Sequence, residues 1–184
     1  MDLNELLDKI DDELFADNID TEIVGDKIIW RDNFHTENYV DIKYTDYSGC
    51  KFAWWQFNSS GKDIVRVCNG DFIHNWRPKL NNMGGTLGCI YLKFYENLLF
   101  VAYPDKDGDR LYAFDTKQVK TNEVHYCGII GVCIYNDLLF VKDYNKKEVF
   151  YMDLKLPLLE KVNISEEEVR NLGIKFDNKY GMEI

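Results

Sequence analysis

A strand-turn-strand pattern that occurs twice is the feature that most limits the folds open to this chain. Residues 95–101 read YENLLFV, and residues 135–141 read YNDLLFV, 40 positions later. A second pair of similar runs follows, LYAFD at 111–115 and VFYMD at 149–153. Apolar runs without polar alternation are typical of strands that are covered on both faces. The repeat therefore predicts two similar antiparallel hairpins with buried faces.

The period of about 40 residues points to a repeat architecture. A weaker third copy covers 54–68, with Ser59, Ser60 and Gly61 as its turn. Strand-turn-strand units at this period resemble the blades of a β-propeller, although no Trp-Asp dipeptide is present. The resemblance implies a small or partial propeller of at most four blades. The alternative is a β-sandwich or barrel. In that case the two segments resemble each other only because all β-hairpins have similar sequence patterns.

Most of the chain from Thr21 onward consists of short apolar runs separated by turn residues. Tyr and Phe, which favour strands, number 12 and 11, and Pro only 3. The fold class is therefore predicted to be mainly β, an antiparallel meander of hairpins. The predicted strands are 21–24, 27–32, 38–46, 51–57, 63–68, 71–76, 89–95, 98–103, 110–114, 123–127, 130–135, 138–143 and 148–153.

Helical signals occur at both ends of the chain. Near the start, apolar residues recur at helical spacing, which predicts an amphipathic helix over 3–15. These residues are Leu3, Leu6, Leu7, Ile10, Leu14 and Phe15. Near the end, Ser165 and Glu168 form a capping box, and Gly173 stands where a helix C-terminus belongs. This pattern predicts a short helix over 166–172 and a last strand near 174–178.

The length of 184 residues is enough for one domain with a sizeable core, or for two small ones at most. We expect a single domain over 1–184. Its parts are an acidic helix over 1–20, a β body over 21–160, and a short helix with a terminal strand over 161–184.

The negative charge is concentrated at one end. The formal net charge is −10, of which −9 lies in residues 1–26 and −1 in residues 27–184. This asymmetry disfavours nucleic acid, whose backbone is anionic, and favours a basic protein as partner. Asp8, Asp11, Asp12 and Glu13 are the candidate partner-binding acids. The alternative is an acidic helix face that only aids solubility.

One loop combines residue types that often carry binding energy. The stretch 74–85 reads HNWRPKLNNMGG and shows no strand pattern. Long irregular loops in compact domains are often binding loops, and Trp and Arg are enriched among interface hot spots. Trp76 and Arg77 are therefore the candidate anchors for a partner. The alternative is a plain connection with Trp76 folded into the core.

The sequence contains several short patterns that resemble catalytic or metal sites but lack a required residue. Asp105 to Asp109 resembles a calcium loop, but Arg110 and Thr116 occupy the sixth and twelfth positions, so a hairpin turn is expected. No two cysteines have the spacing of a structural zinc site. His125 and Cys127 lie two apart, which leaves a chemical role open. We predict no cofactor, no metal and no enzymatic activity.

The cysteines and the hydropathy bear on location. Five cysteines, an odd number, are widely spaced, and the chain does not begin with a basic and then apolar segment. No apolar run has the length of a membrane span. These features predict reduced thiols, a cytoplasmic protein and no membrane association.

A small, acidic chain without catalytic motifs resembles, in profile, the immunity proteins of bacterial toxin–immunity systems. The resemblance implies an inhibitor that neutralises a basic, nuclease-type toxin. The alternative is a carbohydrate- or small-ligand-binding β domain, with or without enzymatic activity. Its ligand would stack on tryptophans, namely Trp30, Trp54, Trp55 and Trp76. Trp54 and Trp55 are adjacent, so they are expected to point to opposite faces of one strand.

Overall fold

A computed structural model of the chain describes residues 4, 5, 8, 21–31, 35–69, 72–76, 88–105, 107–126 and 128–182. This part of the chain is mainly β and forms three antiparallel sheets, which confirms the predicted fold class. None of the three sheets, as far as the described residues go, closes into a barrel. The described stretches also contain no helix with the length and apolar character that a membrane crossing requires.

The first two sheets are meanders in which each strand pairs with the next one along the chain. The first sheet contains β1 to β6, at Thr21–Val24, Lys27–Arg31, Glu37–Ser48, Lys51–Asn58, Ile64–Asn69 and Phe72–Trp76. The second contains β7 to β10, at Tyr91–Tyr95, Leu98–Asp105, Gly108–Asp115 and Lys120–Tyr126. The predicted strands correspond to these elements, with ends that differ by a few residues.

The third sheet has the order β14-β13-β12-β11-β15. Its strands β11 to β15 lie at Ile130–Tyr135, Leu138–Asp143, Glu148–Asp153, Val162–Asn163 and Asp177–Asn178. The helix α1, Glu166–Asn171, lies between β14 and β15 in the chain. The sequence pattern did not predict β14, because two residues are too few to show a period. The predicted last strand is shortened to β15.

The two copies of the repeat form hairpins with the same register. Leu98 pairs with Asp115 in the second sheet, and Leu138 pairs with Asp153 in the third. The residue that follows each hairpin makes the same backbone hydrogen bond. The N–H of Thr116 donates to the carbonyl oxygen of Asn97, and the N–H of Leu154 donates to that of Asp137, each over 2.9 Å. The sequence repeat is therefore a structural repeat down to single hydrogen bonds.

The second sheet lies in the middle of the protein and is covered on both faces. One face shares a core with the first sheet, where Trp55 packs with Leu99 and Tyr103. The other face shares a core with the third sheet, where Phe100 packs with Phe150. This arrangement explains why the LLFV runs show no polar alternation. Trp54 belongs to a separate cluster on the other face of β4, as the alternation of strand side chains requires.

The outer face of the third sheet is covered by α1. Val169 of the helix and Phe140 of β12 belong to one buried cluster, and Ile164 packs against it. Ser165 and Glu168 make the predicted capping box. Buried Lys142 pairs with Glu166 and so ties the first turn of α1 to the sheet. The predicted C-terminal helix is confirmed.

The N-terminal helix predicted over 3–15 falls mostly outside the described residues. Asn4, Glu5 and Asp8 are the members of that segment that the structure describes, and their backbone is helical.

Candidate functional site

The segment 154–161, LKLPLLEK, connects β13 to β14, and we name it the leucine loop. Leu154 is buried at its start, where the backbone N–H donates to Asp137 O. Next to it, an oxygen of Asp153 accepts the backbone N–H of Lys155 over 2.9 Å. Leu159 packs on the core between the second and third sheets. The loop is thus anchored by its first residue and again near its end.

Lys161 forms the second end of the loop and is held by a buried pair. Its Nζ lies 3.1 Å from Nδ1 of His125 and 4.7 Å from the centre of the Phe150 ring. The other ring nitrogen of His125, Nε2, lies 3.1 Å from Oδ2 of Asp143. Asp143 is completely buried, and its Oδ1 accepts the backbone N–H groups of Asn145 and Lys146.

The contacts of His125 define its protonation. An ammonium group has no acceptor, so Lys161 donates to Nδ1, and the imidazole proton is on Nε2, where it donates to Asp143. Burial lowers the pKa of His125, against the opposing effect of the hydrogen bond to Asp143. The ring is therefore neutral near pH 7 and acts as a fixed link between a buried carboxylate and a surface lysine.

Between its anchors the loop exposes two leucines. Leu156 is 54% exposed and Leu158 is 69% exposed. Pro157 stands between them and restricts the backbone, because its ring fixes φ. Leucine side chains are usually buried, so two neighbouring exposed ones on an anchored loop form an apolar projection that a partner can cover.

A groove of about 380 Å³ runs beside the leucine loop. Its apolar wall comes from the second and third sheets and includes Leu98, Ala113, Val124 and Met152. Asp115 and Glu123 also line it and add negative charge. Glu123 is partly compensated, because Arg110 Nη1 lies 3.6 Å from its Oε2. Lys161 lines the groove as well, so its lining contains two carboxylates and one ammonium group beside the apolar wall.

The candidate residues from the sequence fall in other places. Asp8 is exposed, whereas Asp11, Asp12, Glu13 and Arg77 lie outside the described residues. The backbone of Trp76 ends strand β6, and its side chain lies outside the described part.

The leucine loop was missed although a signal was present. A leucine-rich run with a central proline lies between a strand and a capping box. It is too short and too irregular to show the period of a helix or that of a strand. Such a run is read as a connection.

The calcium-like pattern is a hairpin, as predicted. Asp105 pairs with Gly108 across the turn, and its Oδ2 accepts from Arg110 Nε over 2.6 Å. Asp109 turns inward and accepts the backbone N–H of Ile130 over 3.0 Å. Burial raises the pKa of Asp109. The acids at 105 and 109 thus have separate structural partners.

Three of the four tryptophans that the sequence suggests as stacking platforms are core residues, and the side chain of the fourth, Trp76, lies outside the described part. Trp30, Trp54 and Trp55 are at most 3% exposed. A sugar ring cannot reach them in this fold. His125, which the sequence paired with Cys127, is paired with Asp143 instead, and Cys127 lies outside the described residues.

No protein-family model and no curated protein matches the chain. Its function is therefore inferred from the residues of the site.

Proposed function

We propose that this protein binds another protein through the leucine loop and the adjacent groove, and that it acts as an inhibitor of the immunity type. The observation that carries the proposal is the pair of exposed leucines, Leu156 and Leu158, on a loop that is anchored at both ends. Burying one such side chain contributes about 1.5–3 kcal/mol. A loop that is already ordered loses little conformational entropy on binding, which favours affinity.

The partner is proposed to be a basic protein, of the nuclease-toxin type. Residues 1–26 carry a charge of −9, and Asp115 and Glu123 add acidic groups to the groove. A nuclease must present a basic surface to its substrate, so an acidic inhibitor associates with it quickly. In this proposal the protein is cytoplasmic, has no enzymatic activity and binds no nucleic acid.

For the architecture, we propose an open, partial propeller. Three consecutive antiparallel sheets pack face to face, and two of them repeat the same hairpin register. The stack places the leucine loop where the second and third sheets meet.

The test is affinity capture with matched variants. The double variant Leu156→Gln/Leu158→Gln is compared with the wild type and with Leu172→Gln/Met182→Gln. Leu172 and Met182 are 44% and 40% exposed and lie away from the loop in sequence. A protein that is captured by the wild type and by the control, but not by the loop variant, is the expected result. That protein should be basic and should arrest growth when expressed alone, and coexpression with the wild type should restore growth. Equal capture by all three proteins contradicts the proposed surface.

A further inference from the structure

We propose that the cavity where the three sheets meet binds a compact polyanion, with phosphate or pyrophosphate as its charged group. The cavity has a volume of about 350 Å³. Each sheet contributes lining residues: Lys27, Tyr39, Lys43 and Tyr44 from the first, Pro104 from the second and Asn178 from the third. Lys179, which follows β15, adds a third ammonium group.

A bulge in β3 directs two of these residues into the cavity. Val40 pairs with Gln56 and Thr45 pairs with Trp54, so the four residues 41–44 of β3 face a single residue of β4. Asp41 braces the bulge, because its Oδ1 accepts the backbone N–H of Lys43 over 3.0 Å. Bulges re-aim side chains and are frequent beside functional sites. Lys43 and Tyr44 lie in this bulge and line the cavity.

The charge of the cavity opposes that of the protein as a whole. Three lysines line it, against the single carboxylate of Asp41. Within the described part of the chain, no carboxylate oxygen lies within 4.0 Å of Nζ of Lys27, Lys43 or Lys179. The lining therefore carries three positive charges against one negative charge in a chain of net charge −10, and the buried Asp109 lies close enough to Lys179 for the two charges to attract.

Each of these ammonium groups lies against a tyrosine ring. The distances from Nζ to the ring centre are 4.8 Å for Lys27 and Tyr39, 5.4 Å for Lys43 and Tyr44, and 5.2 Å for Lys179 and Tyr180. Such cation–π contacts restrict flexible lysine side chains. Burial raises the pKa values of Tyr39 and Tyr44, so their phenol groups stay protonated. The phenols are therefore available as hydrogen-bond donors to an anion.

The rings also indicate what the ligand is not. Phe57 stacks on Tyr39 with the ring centres 4.5 Å apart and the planes at 5°, and Lys27 lies over the same ring. Phe57 lies too close to one face of Tyr39 for an ammonium group to fit between the two rings. Lys27 therefore lies over the opposite face, so both faces of Tyr39 are covered. A nucleobase has no free face of Tyr39 to stack on. Pockets for small molecules span roughly 300–1,000 Å³, and this cavity is at the low end. The small volume and the three lysines therefore favour a small ligand that is recognised by charge.

Calorimetric titration of the full chain tests the proposal, with pyrophosphate, phosphate and citrate as probes at constant ionic strength. The key variant is Lys27→Gln/Lys43→Gln/Lys179→Gln. The control is Lys117→Gln/Lys120→Gln/Lys175→Gln, which removes the same charge from three exposed lysines. We expect saturable binding of pyrophosphate to the wild type and to the control. One charge-assisted hydrogen bond is worth about tenfold in affinity, so the key variant should bind at least that much more weakly.

The control variant and the choice of anions make the result specific to this cavity. Equal weakening in both triple variants indicates a general effect of charge and overturns the proposal, as does an absence of saturable binding. Citrate binding as tight as pyrophosphate binding overturns the phosphate assignment. If the key variant does not fold, Lys43→Gln alone replaces it, because this lysine is exposed. The variant Leu156→Gln/Leu158→Gln should bind pyrophosphate normally, so this test is independent of the proposed protein partner.

Discussion

Asp143, whose side chain is completely buried, accepts a hydrogen bond from Nε2 of His125 over 3.1 Å. The two residues come from different sheets, β10 and β12, so their contact joins the second sheet to the third. Lys161 extends the chain of contacts to the leucine loop. The position of that loop therefore depends on a polar link inside the core.

The protonation of His125 gives stability a pH dependence. In an unfolded chain the pKa of histidine is about 6.5, and burial lowers it in the folded state. The unfolded state takes up a proton first as the pH falls, so the free energy of unfolding should fall below about pH 6.5. Urea unfolding at pH 7.5 and 5.5 should show a decrease of up to about 1 kcal/mol that His125→Gln removes. The control variant His35→Asn, at an exposed position, should show the same decrease as the wild type. If the decrease disappears in this variant, the pH dependence does not come from His125.

Two turns with the same pattern of backbone hydrogen bonds allow the contribution of the His125–Asp143 pair to be measured. The side chain of Asp115 accepts hydrogen bonds from the backbone N–H groups of Lys117 and Gln118. In the same way, Asp143 accepts hydrogen bonds from the backbone N–H groups of Asn145 and Lys146. Asp143 also accepts from His125. We expect Asp115→Ala to cost about 1 kcal/mol and Asp143→Ala about 3 kcal/mol or more, because the second leaves buried donors unsatisfied. Equal costs in denaturant unfolding would show that the histidine contributes nothing.

Gly128 lies where the second and third sheets meet. Its φ is +85°, and an added Cβ would lie 2.9 Å from Oδ1 of Asp143. Gly25 has φ +61° with no atom within 4 Å of an added Cβ. We expect Gly25→Ala to cost about 1 kcal/mol from backbone strain, and Gly128→Ala clearly more because it also displaces the buried carboxylate. Thermal unfolding compares the two, and a similar loss for both would contradict the close approach.

The leucine loop should show two kinds of leucine. Leu154 is buried, so Leu154→Ala should cost about 2–4 kcal/mol. Leu156→Gln and Leu158→Gln remove exposed side chains and should change the free energy of unfolding by less than about 0.5 kcal/mol. Chemical unfolding of the three variants checks this contrast. A large loss for Leu158→Gln would mean that its side chain supports the fold.

The acidic N-terminal segment should act on the rate of association. Once the partner is identified, neutralising Asp8, Asp11, Asp12 and Glu13 together should lower the on-rate more than it raises the off-rate. The effect should shrink with added salt, because the Debye length is about 8 Å at physiological ionic strength. Surface-plasmon kinetics over a salt series measures both rates. An unchanged on-rate would make the segment a solubilising flank.

Local features of the fold could be predicted from the sequence. The LLFV runs and their turns predict the hairpins at 95–115 and 135–153, and Ser165 with Glu168 predicts the start of α1. These signals depend on backbone preferences and periodicity over a few residues. They act before any distant contact forms, so one sequence is enough to read them.

The sites were decided by tertiary structure. His125 meets Asp143 because two sheets pack against each other, and Lys43 enters a cavity because the pairing of β3 with β4 shifts at a bulge. Neither relationship leaves a local pattern, since each depends on a partner strand. The sequence by itself determined which segments become strands and where they turn. Only packing decided which faces were buried, which leucines stayed exposed and which charges came together, because those contacts join residues far apart in the chain.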